Sequence, residues 1–293
     1  MCFDGGAKAK EIYERKVGIV GLGLIGGSLA KAYRAAGTGT VLGFDTDETI
    51  RSYAQMSGVI DGTLTKEALS DCDLILICTP PRAVLSFLRK YASNIGAKPL
   101  VMDCAGTKQN ICHDAFALAE RYGFTFIGGH PMAGSHNSGF KYSRADLFFG
   151  APMVLVPPRY DDIHLFERAR TLLSPAGFGS YSVCTPEQHD ARIAFTSQLA
   201  HVVSNAYMQN PTAKDHKGFS AGSYQDLTRV AWLDADMWSD LFIENSENLS
   251  GELDDLILTL QKFRRAIYTH DRATLHALLE YGKQCKGEVD GKC

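Results

Sequence analysis

Short apolar runs alternate with segments of helical pattern over the first 184 residues of the chain. Runs of a few residues dominated by Val, Ile and Leu are typical of strands buried in a parallel sheet. They lie at 16–20, 40–44, 73–78, 99–102, 124–127, 153–156 and 180–183. Helical patterns at 24–36, 46–56, 108–122 and 163–173 separate several of them. This alternation predicts an α/β fold, a doubly wound and mostly parallel sheet with right-handed crossovers.

From Thr185 onward the alternation stops, and only helical patterns follow. Thr185-Pro186-Glu187-Gln188 is typical of a helix start, with a threonine cap, a proline in the first turn and a glutamine at the capping-box position. The helix that follows, to about Gln209, is apolar on nearly every side, which predicts a buried central helix. We therefore expect an N-terminal extension at 1–15, an α/β domain at 16–184 and an all-helical C-terminal domain at 185–293.

The sequence Gly21-Leu22-Gly23-Leu24-Ile25-Gly26 lies between the first apolar run and the first helical pattern. This is the context that a dinucleotide-binding turn of the Rossmann type requires. The first glycine, Gly21, allows the tight turn, Gly23 lets the backbone approach a pyrophosphate, and Gly26 lets helix and strand pack closely. The helix N-terminus, at Leu24 and Ile25, offers unpaired N–H groups and a positive dipole end to the phosphates.

An acidic residue ends the second predicted strand. Asp45 lies 24 positions after Gly21, close to where a carboxylate meets the ribose hydroxyls of the adenosine. A carboxylate at this place repels the 2′-phosphate of NADP, so the pattern favours NAD. The alternative is that Asp45 merely terminates a strand.

Composition narrows the possible partners. The chain has 293 residues, 45% hydrophobic and 22% charged, with a net charge of −3. A weakly acidic chain lacks the excess of positive charge that nucleic-acid binding requires. No apolar run approaches the ~20 residues of a membrane span. The N-terminus lacks a signal-peptide core. Eight cysteines occur without a C-x-x-C pair, and no cluster has metal-site spacing, so we expect a metal-free protein of a reducing cytoplasm.

A histidine framed by glycines and a proline follows the fifth apolar run, in Gly128-Gly129-His130-Pro131-Met132-Ala133-Gly134-Ser135. Pro131 biases His130 toward an extended conformation, which fixes the direction of the imidazole. An imidazole is a suitable general base near neutral pH. The alternative is a structural loop histidine. Because Thr79, 103–108 and His130 each follow a strand, we expect them to line one crevice beside the cofactor.

Polar residues of the helical region allow more than one interpretation. Arg229 stands in a largely apolar stretch, and a buried guanidinium needs an anionic partner, either a substrate carboxylate or a structural acid such as Asp226. His201 lies within the apolar helix, where a histidine is more often a core residue with its hydrogen bonds satisfied than a ligand. His189 and Asp190 are most simply capping residues of their own helix.

Five segments in this order resemble the prephenate/arogenate dehydrogenase family, from about Lys16 to about His276. They are GLGLIGGSLA at 21–30, D-x-x-x-x-K at 103–108, GGHPMAGS at 128–135, EQHD at 187–190, and DLTRVA followed by DMW at 226–238. The resemblance implies NAD-dependent oxidative decarboxylation of prephenate to 4-hydroxyphenylpyruvate, the precursor of tyrosine. It also implies a homodimer formed through the helical domain.

The resemblance also implies roles for individual residues. His130 accepts the proton of the ring hydroxyl while a hydride passes to NAD. Arg229 binds a substrate carboxylate, and His201 reaches the substrate from the helical domain. Ser135, which ends the GGHPMAGS segment, and Thr107, in the segment before it, are further substrate-binding candidates. Thr79 joins the glycine turn and Asp45 as a cofactor-binding candidate.

The chain departs from the family pattern within the 103–108 segment. The family commonly has a serine where this chain has Gly106, and the adjacent Thr107 can offer a hydroxyl only in a different direction. The reaction class is unaffected, but the choice between prephenate and arogenate stays open. Two other classes are a non-catalytic NAD sensor, supported by Gly106, and a β-hydroxyacid dehydrogenase, which would need a lysine such as Lys214 or Lys217.

Overall fold

The computed structural model describes residues 15–135 and 137–291. Eight strands form one sheet in the order β3-β2-β1-β4-β5-β6-β7-β8, and only the β6–β7 pair is antiparallel. The strands are β1 (Lys16–Val20), β2 (Thr40–Phe44), β3 (Gly62–Thr63), β4 (Leu74–Ile77), β5 (Leu100–Asp103), β6 (Thr125–Pro131), β7 (Pro152–Val156) and β8 (Ser180–Val183). The predicted fold class is confirmed. The short edge strand β3 was not predicted.

Helices cover both faces of this sheet. They are α1 (Leu24–Ala35), α2 (Glu48–Met56), α3 (Pro81–Ile95), α4 (Gln109–Tyr122) and α5 (Ile163–Leu173). Alternate residues of β4 enter opposite cores: Leu74 and Leu76 pack with α1 and α5, while Ile75 and Ile77 pack with α3 and α4. This alternation follows from the pleat, and burial on both faces explains why the strand reads as a continuous apolar run.

The sixth strand extends further than the sequence pattern predicted. The apolar run ends at Ile127, but β6 continues to Pro131 and pairs with β7, with His130 opposite Val154. Glycines make this extension possible, because a Cβ on Gly128 would lie 2.6 Å from Cys112 Sγ and one on Gly129 would lie 2.6 Å from Asp103 O. The apolar run at 124–127 therefore covers only the first part of the strand, and His130 lies on a strand and not in a loop.

Only helices follow β8 in the described part of the chain. They are α6 (Pro186–Ile193), α7 (Ala200–Met208), α8 (Gly222–Thr228), α9 (Ala235–Glu244), α10 (Ser246–Tyr268) and α11 (Arg272–Val289), with a six-residue π-helical stretch, Ala194–Leu199, joining α6 to α7. The predicted capping box is present, since Thr185 Oγ1 accepts from Gln188 N at 3.1 Å and Gln188 Oε1 accepts from Thr185 N at 3.3 Å.

The predicted burial of the long helix starting at Pro186 was wrong for its second half. Phe195 is 61% exposed and Tyr207 46% exposed, and Ser204 is the one buried residue of α7. Apolar residues on all sides of a helix indicate burial but do not say whether the same chain provides the cover. Within residues 15–135 and 137–291, no helix combines the length and apolarity needed to cross a membrane. The extension predicted at 1–15 lies, except for Arg15, outside the described residues.

Candidate active site

The glycine turn after β1 has the geometry that its sequence predicts. Gly21 has a φ of +87°, and a Cβ there would lie 2.6 Å from the carbonyl oxygen of Cys78. A Cβ on Gly26 would collide with the carbonyl oxygen of Gly21. In contrast, a Cβ on Gly23 would meet no atom within 4 Å. Gly21 and Gly26 are therefore required by the chain itself, whereas Gly23 borders open space.

The first turn of α1 and Asp45 surround this open space. Gly23 is the N-cap of α1 and supplies no side-chain cap, so the N–H groups at Leu24 and Ile25 are available to an anion. Asp45 Oδ2 accepts from Leu22 N at 2.7 Å, and Asp45 Oδ1 accepts from Asp47 N at 3.0 Å. These bonds fix the carboxylate beside the turn.

Thr79 completes this half of the crevice. A Cβ on Gly21 would lie 2.8 Å from its Cγ2, and its Oγ1 is buried with no hydrogen-bond partner among residues 15–135 and 137–291. Buried hydroxyl groups are normally hydrogen-bonded, so an unpartnered one beside a glycine turn indicates a place for a ligand. The open space at Gly23, the uncapped helix start and the Thr79 hydroxyl together fit a dinucleotide.

Gly23 offers a test of this fit. Its φ is −71°, so alanine is allowed there and should leave the melting temperature unchanged. We expect Gly23→Ala to weaken NAD binding by about 1–3 kcal/mol, roughly fivefold to a hundredfold or more in Kd, because the added methyl group fills the space of the ligand. Calorimetric titration with NAD measures this effect. Gly62→Ala, where the added Cβ makes only an ordinary 3.8 Å contact with Leu42, is the matched control. Equal NAD affinity in both variants would contradict the assignment.

His130 belongs to a chain of three polar side chains. Its Nδ1 lies 2.9 Å from His189 Nε2, and His189 Nδ1 lies 2.7 Å from Asp190 Oδ1. His189 and Asp190 are each 2% exposed, whereas His130 is only partly buried. His130 Nε2 has no hydrogen-bond partner within the described residues. The crevice end of β6 therefore presents one free imidazole nitrogen.

Asp190 caps a helix, but not the one that its sequence position suggested. Its Oδ1 and Oδ2 accept from the main-chain N–H groups of Lys108 and Gln109, at 2.8 and 2.9 Å, where α4 begins. A carboxylate at a helix N-terminus satisfies free N–H groups and the dipole. The expectation that His189 and Asp190 cap their own helix was wrong, because the partners lie about 80 positions away in the sequence.

Burial keeps both imidazoles neutral near pH 7. It lowers the pKa of His130 well below the ordinary 6.5, and the nearby His189 and Lys108 lower it further. Burial also lowers the pKa of His189, and the hydrogen bond to Asp190 opposes this only in part. A neutral imidazole is the form that can accept a proton.

A buried ion pair supports the strand that carries His130. Lys108 Nζ pairs with Asp103 Oδ2, and both side chains have no exposed surface. Asp103 also accepts from the main-chain N–H groups of Gly129, at 3.2 Å, and Ala105, at 3.0 Å. The acid and the lysine of the D-x-x-x-x-K segment thus tie β5 to the residue before His130.

The position where the family commonly has a serine is tightly packed against a leucine side chain. A Cβ on Gly106 would lie 3.2 Å from Leu241 Cδ2 of α9. The neighbouring Thr107 is buried and donates its hydroxyl hydrogen to Glu244 Oε2 at 2.7 Å. The pKa of Glu244 is raised by burial. The Thr107 hydroxyl therefore bonds to α9, and its predicted contact with substrate stays a prediction.

Two of the predicted substrate-binding residues lie near each other in the helical region. His201 Nδ1 is 2.8 Å from the carbonyl oxygen of Ser197, and its ring stacks on Trp238 with centroids 3.9 Å apart. Burial lowers the pKa of His201, the bond to Ser197 O raises it, and the charge of Arg229 lowers it. Arg229 is exposed and has no ion pair with the described residues, so its expected burial beside Asp226 was wrong. Its cation is free for a ligand.

Ser135 lies at the exposed end of the segment after β6. Its Oγ accepts from Asn137 N at 3.2 Å. No contact links this hydroxyl to the histidine chain, and its role in substrate binding stays a prediction.

Two protein-family models match consecutive segments that together cover most of the chain. Residues 29–181 match the nucleotide-binding domain of prephenate dehydrogenase, and residues 185–281 match its dimerization domain. The chain belongs to the prephenate dehydrogenase family. It is therefore an oxidoreductase with an NAD-binding Rossmann domain, and the NAD prediction is confirmed.

Individual relatives agree with this membership. Prephenate dehydrogenase of Bacillus subtilis is 31% identical over 93% of this chain and 75% of its own length. The structure of prephenate dehydrogenase from Aquifex aeolicus with hydroxyphenyl propionate and NAD+ superimposes with a TM-score of 0.80 and 28% identity, covering 94% of this chain and 98% of that one. Arogenate dehydrogenase of Synechocystis gives a TM-score of 0.77 and 29% identity, covering 95% and 100%.

Proposed function

We propose that this protein oxidatively decarboxylates prephenate to 4-hydroxyphenylpyruvate with NAD, and that His130 is the general base. The observation that carries the proposal is the hydrogen-bonded chain Asp190–His189–His130. It engages His130 Nδ1 and leaves His130 Nε2 without a partner among the described residues. The glycine turn, Asp45 and Thr79, which follow other strands of the same sheet, form a fitting site for the cofactor.

The residues of this chain supply the proton transfer and the orientation. NAD, when bound, supplies the hydride acceptor. His130 Nε2 takes the proton of the ring hydroxyl as the hydride leaves the same carbon. The bond to the ring carboxylate then breaks, carbon dioxide departs, and the electron pair of that bond restores the aromatic ring. The ring oxygen, left as a phenolate, takes back a proton to give the phenol of the product. Because burial lowers the pKa of His130, the base is neutral before the reaction.

The helical region supplies the groups that suit a dicarboxylate. The guanidinium of Arg229 is exposed and without an ion pair in the described residues, and its charge reaches His201. An unpaired guanidinium is suited to bidentate recognition of a carboxylate. The hydroxyphenyl propionate in the related structure, a phenol with a carboxylate, has the chemistry that such a site would accept.

Arg229→Ala is expected to raise the KM for prephenate about tenfold to a hundredfold, since a hydrogen bond to a charged group contributes ~1.5–3 kcal/mol. The kcat should change little. Steady-state kinetics with saturating NAD measures both quantities. Arg121→Ala, an exposed arginine near the end of α4, is the control. Unfolding of the Arg229 variant with an unchanged KM in its folded fraction would instead indicate a structural role.

Arogenate is the second candidate substrate. It carries an ammonium group in place of the keto group of prephenate, and the chemistry at the ring is the same. The similar structure from Synechocystis is an arogenate dehydrogenase. Parallel measurement of kcat/KM with the two substrates, followed by the absorbance of NADH, decides between them. Turnover of arogenate alone would keep the reaction class and change the substrate.

The other classes receive less support from the geometry. A β-hydroxyacid dehydrogenase would need a catalytic lysine from the helical region, whereas the lysine whose charge acts on His130 is Lys108, which is paired with Asp103. Lys214 and Lys217 are both exposed. A sensor without catalysis would not need an imidazole held in a buried polar chain. NAD binding without turnover of either substrate would favour the sensor.

We also propose that a second copy of the chain covers the helical region. Several apolar side chains of α10 are about half exposed or more in the single chain: Ile257, Leu258, Leu260 and Ile267. Apolar side chains left exposed along a long helix indicate an interaction surface. The matched dimerization domain agrees with a homodimer. A monomer in sedimentation equilibrium at micromolar concentration would contradict this proposal.

A further inference from the structure

We infer that His189 and Asp190 are positioning residues that hold His130 in the tautomer with a bare Nε2. This inference rests on the proposed function, in which that nitrogen accepts the substrate proton. The sequence assigned neither residue to the reaction. Two hydrogen bonds lead from the carboxylate to the base, and the first fixes the direction of the second.

The first step is set by the carboxylate. An ionised carboxylate can only accept hydrogen bonds. Asp190 Oδ1 lies 2.7 Å from His189 Nδ1 and also accepts from Lys108 N at 2.8 Å. His189 Nδ1 must therefore carry the hydrogen and donate it to Asp190.

The second step follows from the neutrality of His189. A neutral imidazole that carries its hydrogen on Nδ1 has a lone pair on Nε2. This lone pair faces His130 Nδ1 at 2.9 Å. His130 Nδ1 must then be the donor, so in neutral His130 the lone pair lies on Nε2. The opposite tautomer of His130 would place two lone pairs against each other.

The chain of residues is anchored at its far end. Asp190 Oδ2 accepts from Gln109 N at 2.9 Å, and Asn245 Nδ2 donates to the main-chain oxygen of Asp190 at 2.8 Å. Asn245 also donates to Gln198 Oε1 at 2.7 Å. Contacts from α4, the π-helical stretch and the residue before α10 thus prevent Asp190 from turning away, and the polarity of the chain cannot reverse.

The arrangement also prepares His130 for the proton. When Nε2 becomes protonated, Nδ1–H already points to an acceptor, and His189 in turn donates to an anionic carboxylate. The charge that develops on His130 is therefore stabilised by groups that need not move.

The test compares two substitutions of nearly the same size. In His189→Gln, the side-chain oxygen can accept from His130 Nδ1 and the amide nitrogen can donate to Asp190. In His189→Met, neither bond can form. We expect His189→Met to lower kcat about 10²-fold, at the low end of what a positioned base contributes, and His189→Gln to stay within about tenfold of wild type. The KM for prephenate and the Kd for NAD should stay near wild type in both.

The tautomer itself is read by nitrogen NMR of protein labelled with 15N-histidine, with His130→Asn used to assign the His130 signals. Wild type and His189→Gln should show Nδ1 of His130 protonated and Nε2 bare, whereas His189→Met should lose this preference. A wild-type signal with the hydrogen on Nε2 would overturn the inference. So would equal kcat values in the glutamine and methionine variants, whether both normal or both reduced.

The two proposals fail in different ways. If wild-type protein turned over neither prephenate nor arogenate, the proposed function would be wrong, yet the NMR comparison would still decide whether His189 fixes the tautomer. If wild type is active and the tautomer does not respond to His189→Met, the positioning role alone is wrong. Should His189→Met fail to fold, wild type and His189→Gln still give the decisive spectrum.

Discussion

His130→Asn should lower kcat by about 10²–10⁴-fold, the usual contribution of a general base, while the Kd for NAD stays near the wild-type value. Asparagine keeps a polar side chain at this point of β6 but cannot take a proton. The proposed cofactor contacts lie at the glycine turn after β1, which is a different strand. Stopped-flow and steady-state measurement of NADH formation, with titration of NAD binding, separates the two effects.

The pH profile adds a second readout for the same variant. If neutral His130 is the base, as proposed, its pKa well below 6.5 means that kcat/KM of wild type should hold its value as the pH falls to 6.5 and decline only below it. The residual activity of His130→Asn should lack this acid limb. His164→Asn, an exposed histidine on α5, serves as the control. An unchanged kcat in His130→Asn would remove this residue from the reaction.

Lys108→Met should destabilise the protein by about 3–5 kcal/mol, because it leaves the Asp103 carboxylate buried and uncompensated. Because methionine keeps most of the side-chain volume of lysine, the decrease in the free energy of unfolding measures the effect of removing the charge. Urea unfolding followed by fluorescence and circular dichroism gives the free energy of unfolding. We also expect weaker activity in the folded fraction, since Asp103 bonds the N–H group of Gly129 beside the base.

A matched control for this prediction lies at the surface. Lys98 also pairs with an aspartate, Asp73, at 3.1 Å, but its side chain is 54% exposed. Solvated ion pairs contribute only about 0–1 kcal/mol, so Lys98→Met should have a small effect. Equal losses in the two variants would contradict the role given to the buried pair.

The sequence predicted the parts of this protein that depend on local order. A continuous apolar run such as 73–78 is the pattern of a strand buried on both faces, and Gly26 is required by the carbonyl oxygen of Gly21, five residues earlier. The capping box at Thr185 is equally local. Each of these features leaves a recognisable pattern within a short stretch of sequence, so a single sequence was sufficient to predict it.

The remaining features depend on partners far away in the sequence. The continuation of β6 through His130 was not predicted from the sequence. Gly128 and Gly129 add no side chain to the apolar pattern and are typical of loops, so the pattern stops before the strand does. Asp190 has the composition of a cap for its own helix, yet its partners are at the start of α4. Arg229 has apolar neighbours, but those neighbours are themselves partly exposed in the single chain, so their hydrophobicity did not indicate burial of the guanidinium.

The central claim is tested most directly by the products of wild-type protein supplied with NAD and prephenate. NADH, carbon dioxide and 4-hydroxyphenylpyruvate should appear together in equal amounts, measured by absorbance, by trapped label from the ring carboxylate and by chromatography. Carbon dioxide release without NADH, or no product despite measurable NAD binding, would contradict the account.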